Sequence, residues 1–207
     1  MKLVTRSLAA LLVLAASASL APAAPTTWKV DPAHTDVGFT VRHIFSKVHG
    51  VFHDVEGTIV FDEADTSAIK VDASVKAVSV DTGNDERDSD LRGPSFFEVD
   101  KHPTLSFKST KVTKAGKGKY KVAGDLTMHG VTKPVVFEAE FLGASAVGVD
   151  GQSWGTKAGF SATTVVNRKD FGINWNKTLD NGSLMVDDMV TIAIDIEASK
   201  AEPKKAQ

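Results

Sequence analysis

Residues 188–198 read DMVTIAIDIEA, and their spacing decides the fold class. Val190, Ile192, Ile194 and Ile196 are apolar, and Thr191, Ala193 and Asp195 stand between them. A period of two puts one set on each face of an extended strand, whereas a helical period of 3.6 would scatter the isoleucines around an axis. Their β-branched side chains favour the same reading, because they fit a pleated, half-buried surface.

The pattern recurs toward the N-terminus. Trp154, Ala158, Phe160, Ala162 and Val166 share one face of a long predicted strand, as do Val135, Phe137, Ala139 and Phe141 of another. Tyr120, Val122, Leu126 and Met128 form the next set, and Leu105 with Phe107 another. Further upstream are Ile69, Val71, Ala73 and Val75, then Val51, Val55, Ile59 and Phe61, then Val37, Phe39 and Val41. About eight strands result, so the expectation is an all-β, mainly antiparallel domain; at that count a closed barrel just holds its own side chains or one small ligand.

Composition narrows the function. With 42% hydrophobic and 24% charged residues the chain is ordinary for a globular protein, and its 207 residues suit one domain. There is no cysteine, which excludes disulfides, thiolate metal sites, a thiol nucleophile and a lipid-modified cysteine. A formal net charge of −2 argues against nucleic acid, which needs a basic stripe. The one basic cluster, residues 111–121 (KVTKAGKGKYK), holds Gly116 and Gly118 and reads as a solvated hairpin loop.

At the N-terminus Lys2 and Arg6 precede the apolar run Leu8 to Ala16, and small residues follow in SASLAPAAP. Residues 1–23 are therefore expected to be a secretory signal peptide, with an apolar run shorter than the roughly 20 residues of a membrane span. One barrel domain is expected over 24–199, and the tail 200–207, KAEPKKAQ, lacks apolar anchors and is expected to be disordered.

Residues 82–103, TGNDERDSDLRGPSFFEVDKHP, interrupt the alternation. Thr82 or Asn84 is placed to cap a helix opened by Asp85 and Glu86, whose charge suits the positive end of the helix dipole. Asp88 and Arg92, four apart and acid first, predict a solvated ion pair, and Gly93-Pro94 ends the helix. Ser95 and Glu98 repeat the capping-box spacing around Phe96 and Phe97, so a short helical segment is expected near residues 84–98. One ring is expected to seal the barrel while the other faces a cavity.

The run ERDSDLRGPSFFEVDKHPTLSF (86–107) closely resembles the signature segment of the YceI-like, or polyisoprenoid-binding, family. HTDVGFTVRH, GVFHDVEGTIVFD, GDLTMHGVTKPVVFEAEF, GFSATTVVNRKDFGI and VDDMVTIAIDIEA agree in order and spacing, and together they span nearly the whole chain after the leader. The resemblance implies an extended eight-stranded antiparallel barrel similar to lipocalins, exported to the bacterial periplasm and enclosing a tunnel. The implied occupant is a polyisoprenoid lipid, a quinone or isoprenyl-phosphate-like molecule, carried as a ligand with no cofactor and no catalysis. Asp90 stands where the family commonly has histidine, and an ionised carboxylate cannot donate a hydrogen bond to a head group.

The candidates for lining the tunnel are Phe39, Val41, Phe52, Phe96, Phe97, Phe107, Phe137 and Phe160. His34, Arg87, Asp90, Arg168 and Asp170 are the candidates for the mouth or the head group. Arg168, Asp170 and Phe171 in NRKDFGI read as a salt-bridged turn. His129 in MHGVTKP reads as a hairpin corner, with Gly130 in the left-handed conformation. A metal is not expected: His49 and His53 are four apart, about 13 Å on a strand, and His34 meets Asp36 or His43 only through the fold. Motifs for hydrolases, zincins and phosphate binding are absent. Two other readings stay open: an enzyme acting on a small apolar substrate with His34, Arg87 or Asp170 as acid/base groups, and a stress-linked interaction module. Transient contact with a membrane surface and dimerisation are also open.

Overall fold

Period-two alternation becomes ten antiparallel strands in the computed structural model, which describes residues 24–202. The expected signal peptide at 1–23 lies outside the described residues, as do tail residues 203–207. The strands are β1 (Thr26–His43), β2 (Ser46–Phe52), β3 (Val55–Phe61), β4 (Lys70–Lys76), β5 (Val80–Asp81), β6 (Thr104–Gly116), β7 (Lys119–Met128), β8 (Val131–Val149), β9 (Gln152–Asn167) and β10 (Val186–Lys200). One helix, α1 (Asp85–Arg92), follows β5.

The order β10-β9-β8-β7-β6-β4-β3-β1 closes because β1 pairs again with β10, giving the expected eight-stranded antiparallel barrel. Closure leaves no open edge in that ring. Eight positions arise from ten strands because two positions are split, one between β4 and β5, which pair with β3 and β2, and one beside β1. Its first residues pair with β3 and its second half with β2, so β2 and β3 fill one position broken at His53-Asp54. The continuous strand expected from Val51 to Phe61 is thus two.

Inward positions follow the alternation. In β7 Tyr120, Val122, Gly124, Leu126 and Met128 are all buried. Trp154 departs from its expected face and is 56% exposed. The β8–β9 register slips between Val147↔Gly155 and Gly148↔Ser153, so Trp154 is the extra residue of a bulge and leaves the alternation. The tail also begins later than expected: Lys200 pairs with Trp28, and the Ala201 N–H donates to the Thr27 carbonyl at 2.8 Å.

Helix α1 is capped by Asn84, whose side chain accepts from the Arg87 N–H at 2.9 Å. The expected Asp88–Arg92 ion pair does not form. Asp88 is buried and accepts from the Thr82 N–H at 2.9 Å and from the Thr82 hydroxyl. Arg92 instead donates to the carbonyls of Val78 (2.9 Å) and Val80 (2.6 Å). Both side chains reach back to the segment before the helix, residues 78–82. The second capping box is replaced by turns over residues 94–97, and Glu98 takes a left-handed φ of 46°.

Where β1 shifts register between Val30 and Thr35, Lys157 of β9 bridges Asp31 (3.0 Å) and Glu197 (3.1 Å). The hydrogen bond from Lys157 holds the Asp31 carboxyl below its ordinary pKa. A depressed carboxyl pKa stabilises the fold fully above the unfolded value, near about 3.9, and the contribution is lost as pH falls through the folded value. Thermal melts from pH 7 to pH 3 are expected to show a smaller acid-induced drop for Lys157→Met than for wild type. Parallel curves would remove this pair from the acid response.

Candidate functional site

Two apolar clusters occupy the barrel. One, at the α1 end, gathers Phe52, Val80, Phe97, Leu126, Met128 and Phe171; the other contains Trp28, Ile59, Phe61, Tyr120, Phe137 and Phe160. In the second cluster Phe61 stacks at 4.5 Å from Phe141 and 5.6 Å from Tyr120 and Phe160, measured between ring centroids. The first is covered by Phe97, edge-on to Phe52 at 5.5 Å, and by Phe96 against Trp175 at 5.3 Å.

Between them lies a cavity of about 250 Å³ with an almost wholly apolar wall. It stays open because small residues alternate with large ones and because two rings lie flat on glycine. A Cβ at Gly50 would sit 2.3 Å from Phe39 Cζ, and one at Gly124 would sit 2.5 Å from Phe107 Cζ. Each ring covers its glycine instead of projecting across the lumen. Gly57 faces Ala73 and Ala139 faces Ala162, which leaves further space.

All eight residues singled out from the sequence as lining lie on this wall: Phe39, Val41, Phe52, Phe96, Phe97, Phe107, Phe137 and Phe160. Both Phe96 and Phe97 reach it, rather than one sealing and one facing inward. The five polar candidates separate. Only Arg168 lines the cavity, and its N–H groups are engaged by protein: Nε with the Asp187 carbonyl (2.9 Å), Nη1 with Ile173 (2.8 Å) and Trp175 (2.7 Å) carbonyls, and Nη2 with Asp188 Oδ1 (3.3 Å). Burial pulls the Arg168 pKa down.

The other four stand off the wall. Arg87 donates to the Thr82 hydroxyl oxygen (2.8 Å) and carbonyl (2.9 Å); Asp90 and Asp170 are exposed; His34 is exposed beside Asp31 at 3.3 Å and not beside Asp36. Arg168 pairs with Asp188, so the turn's expected partner Asp170 is replaced by a residue of β10. His49 contacts Thr40 and His53 contacts Asp81, so these two histidines diverge.

Two polar features were not anticipated. Tyr120 is 4% exposed on the cavity wall, and neither its hydroxyl nor the buried Trp28 Nε1 has a hydrogen-bond partner among the described residues. Glu98, His102 and His129 come together beneath the segment that carries Phe96 and Phe97, with their ligating atoms all within 4.8 Å of one another. The hydrogen bond from Lys101 (2.6 Å) holds the Glu98 carboxyl below its ordinary pKa. His129 and Gly130 are the two left-handed residues between β7 and β8, the hairpin corner expected there.

The model of the YceI-like domain matches residues 28–198. The chain belongs to the YceI-like family. A UPF0312 protein of Photorhabdus laumondii is 39% identical over 185 residues, covering 87% of this chain and 90% of the relative. The crystal structure of the YceI protein of Campylobacter jejuni is 35% identical, with a TM-score of 0.63, over 84% of this chain and 97% of that one. A polyisoprenoid-binding domain from Saccharophagus degradans, implicated in plant cell wall breakdown, is 13% identical at a TM-score of 0.62, over 86% and 99% respectively. At that identity it shares the fold. For this YceI-like chain the inward faces follow from parity, closure from the pairing of β1 with β10, and the hollow centre from the placement of small residues.

Proposed function

We propose that the protein binds an isoprenoid-type lipid in the barrel cavity and shields it from water without transforming it. The observation that carries this reading is the apolar lumen between two aromatic clusters. Each buried methylene contributes about 0.8 kcal/mol, so a few isoprene units supply ample driving force after the costs of ordering. The polyisoprenoid-binding barrel of Saccharophagus degradans supports the same ligand class. The catalytic alternative is weakened by geometry: His34, Arg87 and Asp170 are absent from the wall. The leader-like residues 1–23 support export to the periplasm.

At about 250 Å³ the cavity falls just below the range of small-molecule sites, about 300–1,000 Å³. A long chain therefore has to push the Phe96–Phe97 cover outward, while a head group with a carbonyl oxygen finds the Tyr120 hydroxyl as donor. Organic extraction of freshly purified protein, followed by mass spectrometry, is expected to yield about one isoprenoid per chain. Lipid-free protein that an added isoprenoid quinone fails to stabilise against heat would overturn the reading. Tyr120→Phe is expected to weaken quinone binding about 3–10-fold, the worth of one hydrogen bond, and to leave an isoprenoid hydrocarbon unaffected. Equal losses for both ligands would remove the hydroxyl from head-group recognition.

A further inference from the structure

We propose that Glu98, His102 and His129 form a site for a divalent transition-metal ion of the zinc class, which braces the Phe96–Phe97 segment against the β7–β8 turn.

The chain builds the site locally on one side and through the fold on the other. The His102 N–H donates to the Glu98 carbonyl at 2.9 Å, and this single turn sets side chains i and i+4 on one face. His129 arrives from the β7–β8 corner. Its Nε2 lies 3.7 Å from Glu98 Oε2, and His102 Nε2 lies 3.9 Å from the same oxygen. A tetrahedral ion with bonds of about 2.0–2.1 Å holds its ligand atoms roughly 3.3 Å apart; each imidazole has about half an ångström to close on Oε2, and the two imidazoles, whose ligating atoms lie within 4.8 Å of each other, have to close toward one another as the ion binds. The fourth position is left for water.

Three observations distinguish this cluster from a chance meeting of charges. His129 Nδ1 faces the Phe171 carbonyl at 3.1 Å; a carbonyl only accepts, so Nδ1 carries the proton and Nε2 offers its lone pair. That Nε2 is buried and has no hydrogen-bond partner among the described residues. Glycines also make room for both rings. A Cβ at Gly130 would sit 2.6 Å from His102 Cε1, and one at Gly172 would sit 3.3 Å from His129 Nδ1. Lys101 occupies Glu98 Oε1 and leaves Oε2 directed at the imidazoles. The contrasting cluster, Asp31, His34 and Glu197, already holds the Lys157 ammonium between its carboxylates and offers no vacancy for a second cation.

The ion site stands independently of the lipid reading, and its test uses zinc alone. Protein stripped with EDTA is titrated with zinc chloride in competition with a chromophoric chelator, and its melting temperature is followed with and without zinc. One zinc per chain and a zinc-dependent rise in melting temperature are expected. Glu98→Gln, His102→Gln and His129→Asn are each expected to weaken zinc at least tenfold, since even outer-shell partners cost about 10–100-fold, and to abolish the rise. Asn suits the left-handed position of residue 129, and Glu98→Gln keeps shape if the histidine variants fold poorly. His34→Gln is expected to change neither readout. Hydrogen exchange over residues 94–103 is expected to slow when zinc is added. The site is overturned by absence of stoichiometric uptake, or by equal affinity in wild type and His102→Gln, which places zinc on the exposed histidines. Unchanged exchange overturns the brace.

Discussion

Replacing Arg168 with methionine is expected to lower stability by about 3–5 kcal/mol, the range for breaking a buried charged network by removing one partner. The cost does not come from the Asp188 ion pair, whose carboxylate is partly exposed and can return to water. It comes from the carbonyls. Residues 173–177 follow the 3-10 turn Arg168–Phe171 with no regular secondary structure, and Ile173 and Trp175 in that stretch point their oxygens at Arg168 Nη1. Methionine fills part of the space but donates nothing, so those acceptors, and that of Asp187, lose a charged donor inside the barrel. At about 2–4 °C per kcal/mol for a domain of this size, the melting temperature drops by roughly 6–20 °C. Lysine keeps the charge but not the planar fork, and Arg168→Lys is expected to fall between the two. A methionine variant within 1 kcal/mol of wild type by urea unfolding would show that water replaces the guanidinium, and Arg168 would cease to be the anchor of this segment.

The same residue shows where the sequence stops being legible. NRKDFGI reads as a turn with a nearby acid, and the nearby acid is Asp170; the acidic partner is Asp188 of β10, about twenty residues on, which the β9–β10 pairing brings alongside. Glu98 and His129 also meet only through the fold, across the gap between the helical segment and the β7–β8 hairpin. Glu98–His102 spacing carried a local hint, but it becomes visible only once a turn at 98–102 replaces the second capping box. Strand faces, by contrast, were legible within each unbroken strand, because parity is fixed residue by residue and needs no knowledge of neighbours. That is why Phe39, Val41, Phe107, Phe137 and Phe160, which stand on the expected strand faces, fall on the wall, whereas Phe52, Phe96 and Phe97 reach it by other routes. Parity fails only where the backbone breaks it, at His53-Asp54 and at the bulge of Trp154, and nothing in a local window announces either.

Ala162→Phe is expected to abolish most lipid retention, at least tenfold by extraction, while leaving the melting temperature unchanged or higher. Ala162 sits between Ala139 and Ile194 on the wall, so a phenyl ring placed there projects into the lumen. In a close-packed core such an insertion costs about 1–3 kcal/mol, because neighbours must move off their rotamers. Here the ring enters open space, gains contacts on faces that had none, and takes the volume the ligand needs. The complementary variant works in the opposite direction. Phe39→Ala costs about 3–5 kcal/mol if the ring is packed on all sides, but Phe39 rests on Gly50 with its other face toward the cavity, so a smaller loss is expected. It should also admit a bulkier chain. Gly50→Ala supplies the control, since its Cβ would drive the Phe39 ring off the wall and narrow the lumen without adding an aromatic group. Retention of lipid by Ala162→Phe, together with a loss of stability in the overpacking range, would mean that side chains already fill the barrel and that the lipid sits elsewhere.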